Sequence, residues 1–359
     1  MNTSADLAPT LARARALPKV LLHEHLDGGL RVATLLELLH LRGVRSPAPD
    51  EAALTAWFDT NAHAGSLVKY LEGFALTVSA MATPAALERV AFEAAEDALA
   101  DGAVLAEFRI APLLFEPYGI SGEAAVEALL AGLARSALPS GLIVCGMRQL
   151  APEEVMDAAR LALAYRGQGV VAFDLAGPEI GHPPSQHAQA LACLREAGMP
   201  LTLHAGEADC AERVLEAAQL GARRIGHGVR LVDALQNPAQ AALIDEARAL
   251  GLHLEVCPTS NVHTGAATSV ATHPITALWR AGLSLSYHTD NRLISCITHS
   301  SEAAELLRHT PLTCNDLLAM ARQAAAHSFL PETARTAALA SINAAALSAA
   351  VTGAAAAMP

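Results

Sequence analysis

Eight apolar runs of five to eight residues punctuate the chain: 20–25 (VLLHEH), 103–110 (AVLAEFRI), 141–147 (GLIVCGM), 169–175 (GVVAFDL), 200–205 (PLTLHA), 223–227 (RRIGH), 251–257 (GLHLEVC) and 283–289 (LSLSYHT). Runs this short and this apolar predict strands of a parallel sheet buried on both faces. Between them lie alanine-rich stretches of helical period, including 84–101, 152–166, 186–197 and 239–249. Strand and helix alternating in this way imply right-handed parallel crossovers, and eight strands point to a closed (β/α)8 barrel, an α/β fold with its helices outside. An open doubly wound sheet is the alternative, but no GxGxxG follows the first run and no P-loop occurs.

The first connection, 26–102, is far longer than an ordinary strand-to-helix loop and reads as a helical insertion. In its segment 66–81, Leu67, Tyr70, Leu71 and Phe74 fall at helical spacing on one face. That face either packs into the core or forms an apolar lid over a ligand. With no linker and no internal repeat, residues 1–359 read as one barrel domain, ending in an alanine-rich tail over 340–359 that is expected to form a fraying helix.

Composition narrows the partners. With 52% hydrophobic and 17% charged residues the chain can bury a sizeable core. A formal net charge of −12 without any run of Lys or Arg excludes a nucleic-acid or anionic-membrane surface as the main partner and favours a small neutral ligand. The six cysteines, at 145, 193, 210, 257, 296 and 314, form no CxxC pair and read as reduced thiols. No stretch reads as a signal peptide or membrane span, so a cytoplasmic location is expected. The sequence carries no signal of oligomeric state.

The chemistry gathers at one end of the predicted strands. His23 and His25, two apart on a strand, share a face, and at the C-terminal end of a barrel strand that face is the mouth of the barrel. His204 ends the fifth run with Glu207 just beyond it, His227 ends the sixth between two glycines, and Asp290 follows the eighth. Independent structural histidines have no reason to fall at the same end of several strands. Imidazoles with one carboxylate suit zinc, leaving a position for water. The only lysines, Lys19 before the first predicted strand and Lys69 in the insertion, offer no carboxylated lysine to bridge two metals, so a single ion is expected. Such an ion brings the pKa of its water to about 7. Glu207 is then the nearest candidate proton donor for the leaving side. His288, on the face of Asp290, reads as a hydrogen-bonded supporting residue rather than a further ligand.

KVLLHEHLDGGL, DLAGPE, LHAGE, IGHG, CPTSN and HTDN occur in the order and at about the separations of the adenosine deaminase family, and the chain resembles that family from about Lys19 to Pro331. The resemblance implies a one-zinc barrel that converts adenosine or 2′-deoxyadenosine to inosine or 2′-deoxyinosine and ammonia. It implies His23, His25, His204 and Asp290 as ligands, and Glu207 as the acid that protonates N1 while hydroxide adds at C6. His227 would stay off the metal and hold the hydroxide, which Asp290 also orients. Gly177 N–H would donate to N3, and Asp27 would meet the ribose 5′-hydroxyl with His25 nearby. Asn291 stands where many members have a second aspartate; its amide donates to N7 at every pH, which leaves the pH profile and the preference among 6-aminopurines open. Adenine or aminodeoxyfutalosine is the rival substrate, although HLDG, with Asp27, differs from the HLEG of adenine deaminases. An ester, lactam or phosphotriester hydrolase, or a barrel that has lost catalysis, fits these motifs less well.

Overall fold

The structure, a computed structural model, describes residues 7–63 and 67–356, with side chains for all of these except 7, 67–72 and 348–356. The expected strands are all present: β1 (Lys19–Leu21), β2 (Ala103–Ile110), β3 (Ser140–Met147), β4 (Val170–Ala176), β5 (Thr202–Ala205), β6 (Arg224–His227), β7 (His253–Val256) and β8 (Ser284–Tyr287). They pair in parallel and in chain order, β1 to β4 and β5 to β8. Two seams close the ring. Phe173 bridges to Leu201 between β4 and β5, with its N–H on the carbonyl of Pro200 at 3.0 Å. Glu24 bridges to Asp290, His25 N–H donates to Asp290 O at 2.8 Å, and Asp290 N–H to His23 O at 3.0 Å.

The first run behaves as two pieces. Its regular ladder stops at Leu21, and Glu24 and His25 extend it by single bridges, to Asp290 beyond β8 and to Arg109 of β2. Lys19 opens β1 rather than preceding it. Its buried ammonium donates to the carbonyls of Leu17 and Asp101, both at 2.8 Å, at the strand end away from the histidines.

Among the described residues four α-helices fill the insertion: Val32–Arg42, Glu51–Ala62, Leu67–Met81 and Pro84–Ala100. Their boundaries follow local chemistry. Asp50 and Thr83 accept the N–H of Ala53 and Ala86 as N-caps, and Gly43 closes the first helix at φ +66°, a conformation that costs glycine nothing. Leu35, Leu38, Leu54 and Phe58 join the main core. On the helix Leu67–Met81 the side chains of Leu67, Tyr70 and Leu71 lie outside the described residues, while Phe74 packs partly buried against that core. A Cβ on Gly73 would lie 3.1 Å from Phe58 and 3.5 Å from Ile294, so this helix rests on the segment that follows β8.

The expected terminal helix is present and begins ahead of the alanine-rich tail. The helix Glu332–Ala356 buries Ala338 and Ile342 against Val20, Leu22, Leu105, Leu318 and Ala321, and Arg322 donates to Asn343 at 2.8 Å. Small alanines let this helix lie close to the strands it covers, so composition that reads as low complexity serves as packing.

In the helix His299–His309, Glu302 is fully buried and accepts the N–H of Thr259 at 3.0 Å. Burial pushes its carboxyl up to about 7. The stability that the protonated form contributes is complete below the unfolded value near 4.5 and is lost as pH rises through about 7. Glu302→Gln is therefore expected to match the parent at pH 4 and to exceed it at pH 8 by about 2 kcal/mol, read from denaturant melts at the two pH values.

Candidate metal centre and active site

Imidazoles from three strand ends meet at the mouth of the barrel. Ring centroids of His23 and His204 lie 4.7 Å apart, His23 and His227 5.0 Å, and His204 and His227 5.2 Å. One ligand-type atom from each of His23, His204, His227 and Asp290 lies within 4.8 Å of the other three, all in buried residues. His25 completes the ring of donors, with Nε2 3.3 Å from His204 Nε2 and 3.5 Å from Asp290 Oδ1. All five groups expected at this end of the barrel thus converge, His227 as closely as the rest. Two of them sit on left-handed backbone, His227 at φ +65° and Asp290 at φ +58°, a strain that non-glycine residues hold where the surroundings over-determine them.

The ring orientations come from carboxylates deeper in the barrel. His23 Nδ1 donates to Glu255 Oε2 at 2.9 Å, and His204 Nδ1 donates to Asp174 at 3.0 Å. Both rings therefore carry their proton on Nδ1 and aim an Nε2 lone pair at the cluster. His23 Nε2 is buried without any hydrogen-bond partner, an orphan that fits a cation.

Asp174 and Glu255 are themselves tied by Arg109, whose guanidinium reaches them at 2.8 and 2.5 Å. Arg224 extends the chain, from Glu255 at 2.6 Å to Glu107 at 2.6 Å. Burial alone would raise the Glu255 carboxyl, but Arg109 and Arg224 outweigh it and hold it well below the ordinary range. For Asp174, His204 and Arg109 do the same. Thr202 adds a hydrogen bond to Glu255 at 2.8 Å.

Gly226, ahead of His227, makes room for this arrangement. A Cβ there would stand 3.0 Å from His23 Cε1 and 3.2 Å from His204 Cα and Cγ. Gly226→Ala is expected to push both rings out of register and weaken metal binding at least tenfold, measured by competition with a chromogenic chelator, because supporting contacts of metal ligands carry effects of that size.

Glu207 sits at the rim of the cluster. Its Oε1 accepts from Asn261 Nδ2 at 2.8 Å and Thr264 Oγ1 at 2.7 Å, while Oε2 lies 3.6 Å from His227 Nε2. Its backbone is pinned at both ends. Glu179 accepts the N–H groups of Glu207, Ala208 and Asp209 at 3.1, 2.9 and 2.8 Å, and Arg230 Nε donates to Glu207 O at 3.1 Å. Asp290 Oδ2 accepts from Ser260 at 2.5 Å.

The remaining expected residues line the same mouth. Asp27, in the turn Leu26–Gly28, is buried with Oδ1 unpartnered, and burial pushes its carboxyl up to about 7. Gly177 follows β4 at φ +99°, where a Cβ would also stand 2.4 Å from Gln149 Oε1. Asn291 is buried beside Gly28, whose missing Cβ leaves space for the Asn291 carbonyl. His288 turns into the barrel floor. Its Nδ1 accepts the N–H of Leu22 at 3.2 Å and its Nε2 pairs with Ser286 Oγ at 2.6 Å, so neither nitrogen faces the cluster.

Sequence reasoning missed Asp174, Glu255, Arg109, Asn261 and Glu179. A signal existed for the first three: a charge inside an apolar strand run must find a buried partner. Asn261 lies in the short helix Pro258–His263 and Glu179 in the loop after β4, and nothing in the residue order tells which neighbour they meet.

The sequence model of the adenosine deaminase family matches residues 18–345. The adenosine deaminase of Mycobacterium tuberculosis strain H37Rv is 42% identical over 343 residues, covering 90% of this chain and 93% of that one. An amidohydrolase from Burkholderia ambifaria, solved with bound Zn, superposes with a TM-score of 0.81 at 25% identity over 95% of this chain and 94% of that one. The Arabidopsis N6-mAMP deaminase gives 0.81 at 25% identity over 93% and 99%. With the family's strand-end histidines and aspartate brought together in a metal-dependent amidohydrolase barrel, the chain belongs to the adenosine deaminase family.

Proposed function

We propose that the protein hydrolyses adenosine and 2′-deoxyadenosine to inosine and 2′-deoxyinosine with release of ammonia, using one zinc ion per chain. The observation that carries this reading is the carboxyl of Glu207 at the rim of a buried three-strand imidazole cluster, 3.6 Å from His227 Nε2. His23, His25, His204 and Asp290 would hold the ion. When bound, zinc supplies Lewis acidity that brings water to a pKa of about 7.

The chain's own groups do the rest. Glu207 Oε1 is occupied by two donors, so the acidic proton resides on Oε2, the oxygen toward His227, and passes from there to purine N1. His227 steadies the incoming oxygen as C6 becomes tetrahedral, and Asp290, its Oδ2 fixed by Ser260, orients it. Gly177 N–H and the Asn291 amide would donate to N3 and N7. Asp27 and His25 would take the ribose 5′-hydroxyl, for which a buried carboxyl with its Oδ1 unpartnered is suited. A neutral nucleoside agrees with the nearby arginines: Arg109, Arg148, Arg230 and Arg292 direct their donors to protein acceptors. The deciding assay is ammonia release by zinc-loaded protein from adenosine, 2′-deoxyadenosine, adenine and AMP in parallel. Turnover of the two nucleosides above the other substrates is expected; turnover of adenine or AMP alone would discard the assignment.

A further inference from the structure

His227 poses a question of its own. It stands as close to the other ligand-type atoms as His23 and His204 do, and no carboxylate meets its Nδ1 to set its proton as Asp174 and Glu255 set theirs. What meets it is an amide: Asn261 Nδ2 lies 3.1 Å from His227 Nδ1. An amide points either its N–H or its carbonyl at a neighbour, so the meaning of that contact depends on which way Asn261 is turned.

The direction is set two steps away. The backbone N–H of Ile275 meets His273 Nδ1 at 3.0 Å, and a backbone N–H only donates, so His273 Nδ1 is an acceptor. His273 is buried, and burial pushes its imidazole down to about 3, so the ring is neutral and carries its proton on Nε2. That Nε2–H points at Asn261 Oδ1 at 3.2 Å. The carbonyl of Asn261 is thereby engaged, and both amide hydrogens are left for Glu207 Oε1 at 2.8 Å and His227 Nδ1.

We infer that His273, acting through Asn261, holds His227 in the form with its proton on Nε2 and turns Glu207 so that Oε1 is filled. His273 and Asn261 are positioning residues for the deamination proposed above, on which this inference rests. The consequence is a sorting of imidazoles that are nearly equivalent in position. His23 and His204 face the centre with lone pairs, whereas His227 faces it with an N–H, which donates to an oxygen and does not ligate. An Asn261 turned the other way would put its carbonyl on Glu207 Oε1, two acceptors face to face.

The test compares His273→Leu, which deletes the donor, with His273→Gln, whose amide keeps a donor near the place of Nε2. In the Leu variant kcat for adenosine should fall by about 10- to 100-fold with KM within threefold and bound zinc unchanged. The Gln variant should recover most of that loss. Imidazole nitrogen NMR of parent protein labelled in histidine, with His227 assigned by its loss in His227→Asn, should show Nε2 protonated and Nδ1 as acceptor. Parent His227 protonated on Nδ1, or a Leu variant with kcat within twofold of the parent, overturns the inference. Should the Leu variant not fold, the parent spectrum decides alone. If the parent deaminates no 6-aminopurine, the proposed function fails, and the spectrum still decides the relay.

Discussion

Glu207→Gln is expected to lower kcat for adenosine by about 10³-fold while KM stays within a few-fold, the scale at which a positioned acid contributes to proton transfer. The substitution keeps the shape and most contacts. The glutamine carbonyl can still accept from Asn261 and Thr264, as Glu207 Oε1 does at 2.8 and 2.7 Å, and its NH₂ takes the place of Oε2. That NH₂ can hydrogen-bond to N1 and so support binding, but an amide does not release a proton to the ring, so the step that breaks aromaticity stalls. Steady-state ammonia release with parent and variant, both analysed for zinc, separates the two parameters. Activity within tenfold of the parent would remove Glu207 from the chemistry.

Metal removal is expected to abolish turnover and lower the melting temperature by about 10 °C. An ion held at 1,000 times its dissociation constant stabilises the folded state by about 4 kcal/mol, and in large domains each kcal/mol moves the midpoint by about 2–4 °C. The cluster is poorly satisfied by the protein alone: His23 Nε2 makes no hydrogen bond and only approaches Asp290 Oδ1 at 3.4 Å, and His25 and His204 present ring nitrogens to each other at 3.3 Å. Thermal melts and activity after dialysis against a chelator, then after titration with zinc, read both effects. Recovery complete at one equivalent would establish the stoichiometry; full activity in metal-free protein would overturn the mechanism.

The barrel was legible because buried parallel strands leave continuous apolar runs, and the cluster of histidines with Asp290 because strand ends in this fold converge on one mouth. What converged was harder to read. His227 was expected at the mouth with the others, but IGHG alone does not tell that it stands as close to the cluster as His23 and His204 do. The partners Asp174 and Glu255 were visible only as charges in apolar runs, and pairing them with His204 and His23 requires the ring to close. Where the terminal helix rests on the barrel, through Ala338 and Ile342, was not legible, because alanine-rich composition looks the same whether a helix packs against strands or stands clear of them. The His273 relay depends on one backbone N–H and on side chains from a short helix and the segment that follows it, a geometry that no periodicity encodes.

The chain of ions along the barrel interior has an electroneutrality consequence. Glu107, Glu255 and Asp174 exceed Arg224 and Arg109 by one negative charge, and Asp290 adds a second. In a medium that screens poorly, this excess of carboxylates, reduced but not reversed by the buried guanidinium of Arg148 beside it, favours a cation at the mouth of the barrel over an anion.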